Sequence, residues 1–460
     1  MIEQKVKPQE SDLTLEALDM TQQAPDMTMQ VPDSTMQDLD LTMWEARWKN
    51  LNGTLEMLGE NYNPSTLLNF SRKETLYNLV KCLQSFARDQ FYFFYDGFLN
   101  GRLKESSEFP IEYALQAVLA QVAYDLEAIL RAADQRISGS PQVKQTLDTA
   151  DKLAWTALQP AKDKKLVDNE TTVLTYFQKS AAIRLIPYAP VALVGIPFTA
   201  VSVEQDYLAI AHEVGHYVYR HGNLIDDSVK SQKREPVHQR LATDLSKSPE
   251  WIKKWQEEIF ADVYGCLVGG PVMALSAQDL AFQASAKEFV LDDKVHPKPI
   301  VRPDIYSEIL SASVEELDNR WRKKRAERGD PESPSVLEDT REPMYEVISR
   351  IKALLPDTPS ERWTKDELVK GDIEVLYGQF KDFVSNLKSN GVQLEELKSG
   401  PTSNLWEKWI EEKEFFGGSP PPKVIQPGTE EDLQEKPNDT WIHVLLAGGW
   451  STKIGNHANP

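Results

Sequence analysis

The chain has 460 residues, enough for two or three domains and a sizeable core when a single domain takes about 100–200 residues. Its 71 acidic side chains against 51 basic ones leave a net charge of −20, which argues against a general binder of nucleic acid or anionic membrane. Two cysteines, Cys82 and Cys266, cannot build a disulfide framework; both sit in apolar helical patterns, as buried thiols of a reducing interior do.

The amino-terminal "MIEQKVKPQESDLTLEAL" lacks a basic stretch followed by an apolar one, so no secretory signal is expected and a cytoplasmic location is. Residues 1–42 are polar, with "APDMTMQ" (24–30) followed by the near-repeat "VPDSTMQ" (31–37), and read as a flexible arm. A helical region is expected over 43–180. Ser71 with Glu74 has the form of a capping box before a long run ending in "FYFFYD" (91–96), and "IEYALQAVLAQVAYDLEAIL" (111–130) is a second amphipathic helix. The aromatic cluster reads as helix-packing core.

The texture changes at "AAIRLIPYAPVALVGIPFTAV" (181–201), which is rich in β-branched residues and broken by Pro187, Pro190 and Pro197. Short strands fit it, with 191–201 at an exposed edge. The segment falls short of the roughly 20 residues a membrane span requires, and no span is expected.

A helix over 204–220 places Tyr207, Ala211, Val214 and Val218 on one apolar face. Within it, "AHEVGHYVYRHG" (211–222) puts His212 and His216 one turn apart on the other side, with Glu213 angularly displaced between them. Two ring nitrogens converging from a rigid helix suit a tetrahedral zinc, with Glu213 beside the water that such an ion activates. Gly215 would let another segment approach closely. Chance alone produces H-E-x-x-H in a chain of this histidine content with a frequency on the order of one in a hundred, so a third ligand is required before the motif means much. His221 lies about half a turn from the pair, and His238 has no companion acid at fixed spacing.

"SPEWIKKWQEEIFADVYGCLVGG" (248–270) supplies a better partner. Ser248 is expected to cap this helix with Pro249 at its first position, and Trp251, Trp255, Ile259 and Cys266 mark a buried stripe. Glu258 and Asp262 fall in that same stripe at i and i+4. Buried carboxylates are costly unless paired with arginines or a metal, so the helix itself points to a cation.

His212-Glu213-x-x-His216 followed by Glu258-x-x-x-Asp262 resembles the gluzincin group of zinc metallopeptidases and is similar to intracellular and membrane-linked bacterial members. That resemblance implies His212, His216 and Glu258 as ligands of Zn2+, Glu213 as general base, and Asp262 as the outer acid holding a ligand histidine. It spans about 120 residues and is silent on both ends. Some similar families carry His-Pro and a downstream arginine after the second helix. "HPKPIVRP" (296–303) offers His296 and Arg302 as donors to the oxyanion that forms on the carbonyl, with Tyr264 and Tyr306 as weaker candidates.

The fold expected is α+β and predominantly helical: a zincin-like metallopeptidase core with a small sheet over 181–330, flanked by helical segments. Helices are expected to about 327, then a linker over 331–341 and further helices near 343–354, 364–388 and 404–415 within a region ending at 416. Residues 417–460 form a second linker and a short apolar tail, "TWIHVLLAGGWS" (440–451). The basic runs around 230–240 and 320–328 read as solvated surface. The function expected is a zinc endopeptidase acting on polypeptide, without nucleic acid. The alternatives are a zinc-binding pseudoprotease that serves as an interaction module, a zinc aminopeptidase (no G-x-M-E-N-like sequence is seen to anchor an amine) and a metal-free scaffold.

Overall fold

A computed structural model describes residues 41–66, 68–103, 110–225, 234–310, 315–327, 334–355, 362–364 and 373–398, leaving aside the side chains of 334–341 and 374. The arm up to residue 40, the start of the basic run at 230–233, the helix near 404–415, the second linker and the apolar tail lie outside the described residues.

The architecture is α+β and predominantly helical. Four helices come first: α1 (Thr42–Asn61), α2 (Lys73–Leu99), α3 (Ile111–Ile137) and α4 (Pro141–Asp163). Three strands follow, β1 (Thr172–Gln178), β2 (Ala182–Arg184) and β3 (Val191–Pro197), and then helix α5 (Ala209–His221). A two-stranded ribbon of β4 (Asn223–Ile225) and β5 (Arg234–Pro236) leads to α6 (Val237–Asp244), α7 (Glu250–Gly269), α8 (Pro271–Gln283) and α9 (Ala286–Phe289). The last helices are α10 (Arg302–Leu310), α11 (Glu315–Glu327), α12 (Pro334–Leu354) and α13 (Glu374–Ser389). Among the described residues no helix is long and apolar enough to cross a membrane.

The sheet has the order β1-β3-β2, with β3 parallel to β1 and antiparallel to β2. It begins earlier than expected: the β-branched and aromatic run that forms β1 lies inside the region assigned to helices. The pleat divides its side chains cleanly. Val173, Phe177, Ala192, Val194, Ile196 and Ile183 enter one core with α4, α5 and α7, while Arg184 turns to the other face and meets Asp125 of α3 at 2.6 Å.

The expectation of an edge strand at 191–201 is overturned, because β3 is paired on both sides and residues 198–201 leave it as a 3-10 turn. The edge at β1 is also closed, by side chains rather than by a strand. Arg72 donates to Val173 O at 2.7 Å, and Arg136 donates to Thr175 O at 2.7 Å while Asp151 accepts from Thr175 N at 2.8 Å. Gln135 completes the row, accepting from Phe177 N at 2.7 Å and donating to Phe177 O at 3.0 Å. Polar groups that satisfy a sheet edge remove it as a template for another chain. The outer edge of β2 is left, and among the described residues no strand pairs with it.

Three local expectations are corrected. α2 has no capping box from Ser71: its N-cap is Arg72, at φ +63° and without a side-chain cap bond. The first-turn amide of Thr75 is instead taken by the Glu396 carboxylate at 2.9 Å. The N-cap of α7 is Pro249, one residue later than expected, and Ser248 gives no side-chain cap. Of the linker expected over 331–341, residues 334–341 instead begin α12, which carries Pro343 within it, and 331–333 lie outside the described residues.

Candidate metal centre

α5 and α7 bring the site together, and Gly215 sets how closely. A Cβ on Gly215 would stand 2.8 Å from Ala261 Cα and 3.0 Å from Ala261 O, so only a residue without a side chain lets the two rods approach this far. Ala211, Val214 and Val218 of α5 and Ile259 and Cys266 of α7 are fully buried, which fixes the rotation of each helix about its axis. That rotation turns His212, His216 and Glu258 toward one point.

His212 Nε2 lies 3.1 Å from His216 Nε2. Glu258 completes a triangle, with Oε2 3.5 Å from His212 Nε2 and Oε1 3.4 Å from His216 Nε2. Two donors about 2.0–2.1 Å from a zinc at the tetrahedral angle stand roughly 3.3 Å apart, so the triangle fits that ion's ligand shell. Among the described residues these three are the one group of histidine, cysteine and carboxylate side chains placed to hold a metal. His221 packs at a tilt against Tyr217 and His238 against Tyr219, both outside the group.

The charge around the triangle is dense. Burial works against a proton on His212, but hydrogen bonds to Asp262 and Glu258 outweigh it and hold the ring at about 10. Burial likewise opposes ionisation of Glu258, yet the two imidazoles and Arg302 keep its carboxyl well below the usual range. A pocket whose acids retain a proton on an imidazole is built to receive positive charge.

Asp262 is fully buried and fully satisfied. It binds His212 Nδ1 at 2.9 Å and accepts from Arg302 Nε at 2.9 Å, Arg302 Nη2 at 2.7 Å and the Tyr306 hydroxyl at 2.5 Å. Burial raises its cost of ionisation, and Arg302 with His212 overrides that and keeps it anionic. Arg302, expected as an oxyanion donor, turns Nε and Nη2 to Asp262, and the same Nη2 lies 3.5 Å from Glu258 Oε2, so the guanidinium stands beside the triangle. Tyr264 is removed from the site altogether, because its hydroxyl donates to Ala157 O at 2.7 Å and pins α7 on α4.

His296 stands at the rim, with Nε2 3.4 Å from Glu258 Oε1. Its loop is shaped by Asp293, which accepts from Val295 N at 2.9 Å and from His296 N at 2.7 Å, and whose other oxygen lies 2.6 Å from His296 Nδ1. One acid thus folds the loop and aims the imidazole. Glu213 is buried on α5 between the histidines, and among the described residues its carboxylate has no hydrogen bond or ion pair.

Sequence reasoning missed Glu257. Its Oε1 lies 3.1 Å from His216 Nδ1, and Arg220 donates to its Oε2. Burial opposes its charge, but His216 and Arg220 hold the carboxyl down at about 2. The available signal was an arginine one turn after His216 together with an acid adjoining Glu258. A cleft of about 490 Å³ opens elsewhere, between α4, residues 200–207 and α13, and no member of the centre lines it. Compared with protein-family models, curated proteins and solved structures, the chain matches none. The geometry of the centre therefore carries its functional reading.

Proposed function

We propose that the chain is a zinc-dependent peptidase with a zincin-like core, cleaving within polypeptides. The observation that carries this reading is the His212–His216–Glu258 triangle with an unengaged carboxylate, Glu213, on the same turn of α5. Three protein donors are the set of a catalytic zinc, whereas structural zinc takes four. A zinc ion held there supplies Lewis acidity and brings the ionisation of a water molecule into the neutral range.

Glu213 takes the proton of the attacking water and delivers it to the departing amine, the work its freedom from other partners supports. His296, aimed by Asp293, donates to the carbonyl oxygen as negative charge develops on it. Arg302 acts behind these groups by neutralising Asp262, which in turn fixes the tautomer of His212. β2 touches α5, and its outer edge, unpaired among the described residues, would offer the substrate backbone a strand to pair with, which favours extended, internal segments over chain ends.

The test is metal analysis and peptide hydrolysis on the wild type beside Glu213→Gln and Glu258→Ala. Wild type is expected to carry one zinc per chain and cleave internally. Glu213→Gln keeps the metal and loses activity by at least about a hundredfold, in line with removal of a general base; Glu258→Ala loses the metal. Hydrolysis surviving in Glu213→Gln rejects the mechanism. A metal-loaded but inert wild type points to an interaction module, and release of single terminal residues to an aminopeptidase.

A further inference from the structure

The two ligand histidines are each backed by an acid and an arginine, but the two sets differ in their access to water. Behind His212, Asp262 is wholly buried and takes both Tyr306 and Arg302, whose side chain is 28% exposed, so the difference lies in the acids. Behind His216, Glu257 keeps 21% of its side chain exposed and Arg220 keeps 34%. His216 and Arg220 are one turn apart on α5, and Glu257 reaches across from α7 to hold both, with Oε1 3.1 Å from His216 Nδ1 and Oε2 on Arg220. Arg220 is itself seated over the ring of Tyr219, 5.4 Å from its centroid.

We infer that Glu257, fixed by Arg220, is a positioning residue for His216 that sets how long the centre retains its metal. The claim rests on the proposal that His212, His216 and Glu258 hold zinc. An imidazole that ligates through Nε2 must carry its proton on Nδ1 and keep its ring plane, and an acceptor at Nδ1 enforces both. His212 receives that acceptor deep in the core. His216 receives it from Glu257, which α5 covers only in part, so water reaches the acid and its arginine. The orientation of His216 therefore depends on an acid that water reaches, and Arg220 holds that acid in place.

The experiment uses the full chain and zinc itself. The dissociation constant is read by competition with a chromophoric chelator, and the release rate by trapping with excess chelator. Glu257→Gln keeps the shape and an acceptor oxygen but loses the charge; it is expected to weaken zinc about 10- to 100-fold, chiefly through faster release. Arg220→Ala is expected to speed release by a smaller factor and Arg220→Lys to restore most of the loss, with far-ultraviolet circular dichroism unchanged. Visible bands of the cobalt-substituted protein should shift in Glu257→Gln, which a merely structural role would not produce. Arg220→Ala, at the more exposed end, reads the same effect if Glu257→Gln folds poorly. A wild type that binds one zinc, with release rates unchanged in both variants, overturns the inference and leaves the peptidase proposal standing. A wild type that binds no zinc overturns both.

Discussion

At neutral pH and without zinc, His212 carries a proton, because its neighbouring acids hold the ring at about 10 against an ordinary 6.5. Zinc requires the neutral ring, so metal and proton compete for one site. Zinc affinity is expected to fall about tenfold per pH unit from about pH 9 to about pH 7, the signature of one displaced proton. Chelator competition at several pH values measures it, and a flat profile counts against this view of the pocket. His238 titrates the opposite way: burial, then the charge of Arg220, push it down to about 4 from 6.5. A ring harder to protonate in the folded chain than in the unfolded one contributes stability above pH 6.5, which is lost as the pH falls through 4. His238→Asn should therefore flatten the loss of stability across that window in urea unfolding. An unchanged slope would show that His238 titrates as an ordinary imidazole.

The centre exists only while α5 and α7 lie at their present separation. Gly215→Val places branched methyl groups where the backbone of Ala261 already stands, and backbone cannot swing aside as a side chain can. The variant is expected to lose about 1–3 kcal/mol of stability, and its zinc affinity should fall as Glu258 is pushed from the histidines. A variant with wild-type zinc binding would mean that the spacing is not what assembles the triangle. This close approach was legible in the sequence, as were the histidine pair and the Glu258–Asp262 stripe, because each follows from helical spacing alone. The directions of Arg302 and Glu257 were not. Arg302 begins α10, forty residues after Asp262, and its partner is set by how α10 packs, which periodicity does not carry. Glu257 sits one residue off the buried stripe of α7, where a sequence reads solvent, and α5 covers it in part. The edge at 191–201 failed for a related reason: prolines mark where a strand stops, and Val191–Pro197 lies between its two pairings in the middle of the sheet.

Over the whole molecule, the segment after α13 ties the first helical layer to the sheet. Glu395 O accepts from Arg72 at 2.8 Å and from the Thr172 hydroxyl at 2.6 Å, while its carboxylate meets Lys162 at 3.0 Å. One residue on, Glu396 takes the amide and hydroxyl of Thr75, and Asn78 donates to Leu397 O. α2 thus receives from 321 residues away the anionic cap that its own Ser71 does not provide. Arg72 links this strap to Val173 O on β1, and β1 pairs with β3, against which α5 packs. A chain of hydrogen bonds and buried contacts therefore runs from the strap to the helix that carries both histidines. If the described parts unfold as one unit, loosening the strap must lower the stability of the metal centre equally. Glu396→Ala is expected to cost about 0.5–2 kcal/mol, the range of a lost helix cap. The shift in midpoint should be the same whether unfolding is followed by tryptophan fluorescence or by release of bound zinc. Two separated transitions, with zinc release unmoved by the substitution, would show that the core around α5 and α7 stands on its own and that the strap serves only the helices before the sheet.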